Sequence, residues 1–233
     1  MANDSHLEQQ RSSKAPELGP VSHGDGFLKM IDKLIETALL LSSCISTADA
    51  THMDRCEALA REVHDQERAL TRQLLASKTG DVPKGLIHLP FLLQRIAEKL
   101  LNISACFRLK SRDGILLNGK AEAHFDQLLV ILVDMMSNLR DAFTISDAVL
   151  VESIISEAVE LNRMIRDFRS AHWSRPRAGA LAGQATGMYL DILDAIKSAS
   201  EDVGNICRAL LELDTIRICS AKVSEEAGSG KLE

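Results

Sequence analysis

The sequence predicts an all-α protein of six long helices, arranged as two tandem three-helix-bundle repeats. Three observations lead there. Apolar residues recur at steps of three and four through six separate stretches. Strand signals are absent throughout. A pattern of helix, tight turn, helix, loop, helix runs through the 233 residues twice. Hydrophobic residues make up 45% of the chain and aromatics only 3%, so the core must be built from Leu, Ile, Val, Ala and Met.

The first helix carries Phe27, Ile31, Leu34, Ala38, Leu41 and Ile45 along one face. The second carries Met53, Cys56, Ala60, Val63, Leu70 and Leu74, with Glu67 in the seam between Val63 and Leu70. The third shows Leu89, Leu93, Ile96, Leu100, Ile103 and Phe107. After a break at Ser111-Arg112-Asp113-Gly114, the fourth has Phe125, Leu128, Leu132, Met135, Leu139 and Ala142. The fifth has Ile154, Ala158, Leu161, Ile165 and Phe168. The sixth alternates steps of three and four from Tyr189 through Ile192, Ile196, Ala199, Val203, Ile206 and Leu210 to Leu213.

The connections divide the chain. Thr47-Ala48-Asp49 and Thr144-Ile145-Ser146-Asp147 are short and offer capping side chains, so each flanking pair should be antiparallel. Thr79 to Pro83, and Arg175-Pro176-Arg177 with Gly179, are the longer loops. Residues 1–24 read as a flexible lead-in, 25–113 as the first repeat, 118–219 as the second and 220–233 as a flexible tail. Helices of about 25 to 30 residues would be roughly 40 Å long, which makes a rod or slab.

Charge and hydropathy exclude several functions. The net charge of −6 argues against nucleic-acid binding, which needs a basic face. The longest apolar run, Leu128 to Val133, stops at Asp134, far short of the roughly 18 apolar residues of a membrane span. The first residues lack the apolar stretch of a signal peptide, so a cytoplasmic protein is expected, with the cytoplasmic face of the inner membrane as one setting. Cys44, Cys56, Cys106, Cys207 and Cys219 are scattered without a CxxC pair and read as reduced core thiols.

The third helices of the two repeats match in sequence as well as in pattern. Leu93 to Ser104 (LQRIAEKLLNIS) aligns without gaps on Ile196 to Cys207 (IKSASEDVGNIC). Glu98 falls on Glu201, Asn102 on Asn205 and Ile103 on Ile206. Shared periodicity explains coincident apolar positions but not a coincident E-x-x-x-N-I. The second helices align more loosely, with Val63 near Val159 and Glu67 opposite Arg163. A Glu and an Asn one turn apart beside an apolar stripe would be partly buried and need partners. Hydrogen bonding between helices and the remnant of a metal or anion site are both open readings.

These residues resemble the PhoU family, whose members are built from two three-helix repeats. The family carries L-E-R-I-G-D-x-x-x-N-I on the third helix of each repeat. Here the first copy reads Leu93-Gln94-Arg95-Ile96-Ala97-Glu98 before Asn102-Ile103, and the second Ile196-Lys197-Ser198-Ala199-Ser200-Glu201 before Asn205-Ile206. Val159 to His172, a loop and then Tyr189 to Leu193 also resemble the second half of these domains, so the likeness spans Gly26 to Asp214.

The resemblance implies a non-enzymatic regulatory domain. Such a domain would control phosphate transport of the sodium/phosphate (Na/Pi) type, or phosphate signalling, through protein–protein contacts. Its partner would be a membrane phosphate transporter domain or a signalling protein, with a homodimer also allowed. Two contexts fit: a free-standing regulator, or the cytosolic C-terminal domain of a sodium/phosphate cotransporter-type protein. Ala15 to Pro20 is similar to the linker before such tails.

The alternative is a metal-binding helical-bundle protein with an iron or zinc carboxylate site and a storage or enzymatic role. In metal-binding family members an acidic residue opens the E-x-x-x-D motif and another closes it. This chain has Gln94 and Lys197 at the opening positions and keeps only Glu98 and Glu201. Glu67 matches a further acidic position. Glu67, Glu98 and Glu201 are therefore the candidate ligands of a degraded site, and no cofactor is expected beyond a divalent or iron ion near Glu67 and Glu98. A hard cation needs several convergent carboxylates, and Lys197 would compete for them.

Other chemistry finds no support. Glu62-Val63-His64 and Glu122-Ala123-His124 have the wrong spacing for a di-iron bundle. His52, His88 and His172 lie near helix ends and read as surface or capping residues. No phosphate loop, dinucleotide turn or nucleophile elbow is present. The run Arg163, Arg166, Arg169, Arg175 and Arg177 reads as a solvated helix end that could also meet an anionic surface.

Overall fold

A computed structural model describes the backbone of residues 22–47, 49–76, 84–145, 147–173 and 180–229, and the side chains of 24–47, 49–76, 85–145, 147–172 and 183–213. The loops at 77–83 and 174–179, the lead-in up to 21 and Cys219 as a side chain lie outside the described residues. The described elements are α1 (Ser22–Thr47), α2 (Ala50–Ala76), α3 (Lys84–Asp113), α4 (Gly119–Ile145), α5 (Ala148–Trp173) and α6 (Ala180–Ser229). The α6 backbone stays helical past residue 219, where the tail was expected to begin.

The helix ends are chemically defined. Asp49 and Asp147 accept the backbone N–H groups of Thr51 (2.8 Å) and Val149 (2.9 Å), capping α2 and α5 as the tight turns predicted. Asn118 does the same for α4, receiving Ala121 N–H at 2.8 Å. At the end of α3 the chain enters the left-handed region at Gly114 (φ 65°), and Ile115 N–H reaches back to Lys110 C=O at 3.0 Å. Ile115 is buried there, which completes the hydrophobic side of this C-terminal motif. Lys110 Nζ donates to Ile45 C=O (2.6 Å) and to Glu122 (2.8 Å), tying the end of α1 and the start of α4 to α3.

The packing obeys a pseudo-twofold. Within each repeat all three helices touch, and the repeats meet through α1 with α4 and α3 with α6. Phe27 stacks on Phe143 at 5.3 Å while Ser42 donates to Asp126 at 3.0 Å, so α1 and α4 run antiparallel. A Cβ at Gly85 would lie 3.4 Å from Leu213, and Arg95 meets Asp202, so α3 and α6 are antiparallel too. One hydrophobic core runs through both repeats.

Burial fixes the internal register. Phe27, Leu34 and Leu41 of α1 fall on Phe125, Leu132 and Leu139 of α4, all buried. On α2 and α5 the buried series Met53, Cys56, Ala60 and Val63 matches Val151, Ile154, Ala158 and Leu161. This corrects the expected pairing of Val63 with Val159, because Val159 is 59% exposed. Glu67 therefore corresponds to buried Ile165, not to Arg163, which sits outside with Glu160 and Asp167.

The same register exposes a difference between the repeats. A Cβ at Gly26 would lie 3.0 Å from Leu70, whereas the matching His124 ring stacks on Phe168 with centroids 3.8 Å apart. His124 Nδ1 and the buried Tyr189 hydroxyl are 2.8 Å apart, and His172 stacks on the Tyr189 ring. His172 is thus half-buried in an aromatic cluster and not a surface cap. Its counterpart in the first repeat is Leu74.

Candidate functional site

The matched motif lies on α3 and α6, which meet across the pseudo-twofold. Their buried faces are Leu93, Ile96, Leu100 and Ile103 on one helix and Ile196, Ala199, Val203 and Ile206 on the other. Ala97 and Ser200, also buried, keep side-chain bulk low in this contact. The same spacing turns the polar motif residues outward.

Each surviving carboxylate is engaged within its own helix. Gln94 Nε2 donates to Glu98 Oε1 at 3.2 Å, and Lys197 Nζ lies 2.9 Å from Glu201 Oε1. Glu98, Asn102 and Asn205 are exposed. Asn205 accepts from Arg208 Nη1 at 2.9 Å. The expected hydrogen bonding between helices through the Glu and Asn pair is therefore not what these residues do. At i, i+4 spacing, the turn-to-turn partner is nearer than any neighbouring helix.

Glu67, half-buried on α2, receives a hydrogen bond from Thr71 Oγ1 at 3.0 Å. Among the described residues no three His, Cys, Asp or Glu side chains converge to hold a metal ion. In the second repeat the donor set does not fit a cation: an ammonium stands against Glu201, and Ile165 occupies the position of Glu67. A metal at Glu67 and Glu98 would need further ligands beyond this pair.

Polar contact between α3 and α6 comes from Arg95, a motif residue, and Asp202, which lies beside the motif carboxylate Glu201. Arg95 Nη2 lies 3.3 Å from Asp202 Oδ1, joining the two repeats. Asp202 is 1% exposed, and no donor meets its Oδ2. Burial pushes its carboxyl above the ordinary value, against the opposing pull of Arg95, Lys99 and Asn205. The signal was a carboxylate three residues after Ala199 and four before Ile206, inside the apolar stripe. Within the second repeat, Ser200 Oγ approaches Asn162 Oδ1 at 3.4 Å.

A cleft of about 460 Å³ opens beside Asn102, lined also by Glu57, Leu101, Ala105, Arg108, Leu109 and Arg112. Arg108 is spent on Asp54 (3.0 Å) and Glu57 (2.7 Å), and Arg112 on Asp113. The cations of the cleft are thus paired with carboxylates, and Leu101 and Leu109 supply apolar lining. Of the basic run on α5, Arg163 is held by Glu160 and Asp167, and Arg169 by Asp194. Arg175 and Arg177 lie outside the described residues.

No protein-family model and no curated protein sequence matches the chain. Solved structures do. The chain is similar to the crystal structure of PhoU from Pseudomonas aeruginosa, with a TM-score of 0.72 and 14% identity over 83% of this chain and 96% of that one. It is also similar to the phosphate transport system regulatory protein PhoU from Streptococcus pneumoniae. There the TM-score is 0.70 and the identity 15%, covering 83% of this chain and 94% of that one. The fold is PhoU-like and all-α.

Proposed function

We propose that this chain is a non-enzymatic regulatory module that controls phosphate transport of the Na/Pi type, or phosphate signalling, through protein contacts. The observation that carries it is the six-helix plan, shared over 94% of a protein described as a phosphate transport system regulator. The motif face adds support: its polar pairs are closed within their own helices, which favours a contact surface over a reactive centre. The partner is a membrane phosphate transporter domain or its signalling protein. Among the described residues no helix is long and apolar enough to cross a membrane, so attachment would run through a partner or a segment outside these helices.

The test is uptake of labelled phosphate by cells of the source organism with and without residues 25–219. Loss of those residues should alter uptake or its response to phosphate starvation. Unchanged uptake together with an unchanged starvation response overturns the reading.

A further inference from the structure

The outer side of α2 carries a row of unpaired arginines. Among the described elements α2 touches only α1 and α3, so its far side is a free edge of the molecule. Arg61, Arg68 and Arg72 are exposed on that edge, and at steps of seven and four they stand in line along one ridge of the helix. Among the described residues none of the three has a hydrogen bond or an ion pair. Leu75, the next position on the same ridge, is 65% exposed.

Nearby carboxylates do little to neutralise the row. Glu62 is held by Lys33 and Arg55, and Glu67 is half-buried and accepts from Thr71. Asp65, exposed and unpaired, opposes the three arginines with one charge. The matching ridge of α5 reads differently. Val159 stands at the place of Arg61, Arg163 is closed by Glu160 and Asp167, and Ser170 replaces Arg72. The basic row therefore belongs to one edge of the molecule.

A fitting partner must be anionic over about 16 Å and must meet a convex ridge, which offers no groove to side chains. A protein would have to place its carboxylates in register with all three arginines. The headgroup layer of an anionic bilayer meets them without register, at about fivefold in affinity for each arginine. It also takes up Leu75 at its apolar boundary.

We propose that the α2 ridge of Arg61, Arg68, Arg72 and Leu75 docks on an anionic phospholipid surface. This rests on the regulatory reading above, which sets the module beside a membrane transporter: the partner holds the chain there, and the ridge decides which edge meets the bilayer. The test is flotation of the full chain with vesicles of phosphatidylcholine, alone or with about one-third phosphatidylglycerol. The chain should float with the anionic vesicles and not with the neutral ones. It should be released at about 1 M salt, where charges are screened within about 3 Å.

Arg68→Gln combined with Arg72→Gln should weaken binding about twenty-five-fold, and Leu75→Ser about threefold, with helical circular dichroism retained. Arg166→Gln, at the place of Arg68 on α5, should leave binding unchanged. No binding to anionic vesicles, equal binding to neutral ones, unchanged affinity in the arginine or leucine variant, or a comparable loss in Arg166→Gln overturns the proposal. So does a chain that ignores vesicles and binds polyglutamate, which would make the ridge a site for an acidic protein segment. The comparison of vesicles needs no variant to fold. The uptake experiment reads the regulatory role in cells, so either idea can fail alone.

Discussion

Lys197 Nζ lies 2.9 Å from Glu201 Oε1 on α6, at the turn that corresponds to Gln94 and Glu98 on α3. An ammonium at that distance holds the carboxylate a metal would need, and it adds positive charge where a cation would sit. Gln94 contributes an amide donor at the equivalent place, which also engages the carboxylate but adds no charge. The repeats therefore keep one geometry and differ in electrostatics.

Metal content follows from this relationship. Protein purified without chelator should carry no more than one metal ion per chain, and none assignable to the second repeat, as read by inductively coupled plasma mass spectrometry. Lys197→Glu should increase binding of Mn²⁺ as a probe, while replacing an attractive i, i+4 pair with a repulsive one costs about 0.5–1 kcal/mol. More than one stoichiometric ion in the wild-type chain would contradict the expectation.

Asp202 gives a pH signature. Its folded-state carboxyl sits above the ordinary value, chiefly because it is buried, with Arg95 and Lys99 opposing. The folded chain therefore holds that proton more tightly than the unfolded chain. The stability this provides is complete below the unfolded value and is lost as pH rises through the folded one. Asp202→Asn removes that loss, and Arg95, whose side chain is 41% exposed, can return to water. Urea midpoints for the variant should rise relative to wild type from acid to neutral pH and then level off. A constant difference would show that Asp202 does not titrate with folding.

Burial also governs the thiols. It pushes Cys56 and Cys207 up to about 12 and Cys106 to about 11. At pH 8 a thiol near 12 is thiolate in about one molecule in ten thousand, so the folded protein should react slowly with a disulfide reagent. In a Cys219→Ser background, a thiol near 12 is still thiolate in only about one molecule in a thousand at pH 9, so labelling should stay slow there, whereas urea should release all remaining thiols together. Rapid labelling of Cys56 or Cys207 in the native protein would show that this part of the core opens readily.

Periodicity made the six helices legible because each buried face is nearly uninterrupted, and the turn carboxylates Asp49 and Asp147 announced two caps. The third helices could be paired because Glu98 and Glu201 mark equivalent places on their polar faces, and the buried series Leu93, Ile96, Leu100 and Ile103 matches Ile196, Ala199, Val203 and Ile206 in that register. The second helices gave no such marker. Two valines, Val63 and Val159, suggested a register that the exposure of Val159 rules out. Asp202 was hidden for a related reason: Glu201 beside it matched the motif, while its own counterpart, Lys99, has the opposite charge. His124 and His172 could be placed on helices from sequence, but their meeting around Tyr189 depends on three helices converging.

The pseudo-twofold itself can be tested through paired substitutions. Leu34 and Leu132 are equivalent in register and are 1% and 0% exposed. Both belong to the shared core, so each alanine variant removes the same buried volume. Leu34→Ala and Leu132→Ala should each cost about 2–5 kcal/mol and resemble one another in urea unfolding. Asp49→Ala and Asp147→Ala, which remove matching caps, should each cost about 1 kcal/mol. Because one core runs through both repeats, all four variants should unfold in a single transition with an unchanged denaturant slope. A two-step transition in either leucine variant would show that the repeats are separate folding units, joined more weakly than the α1–α4 and α3–α6 contacts require.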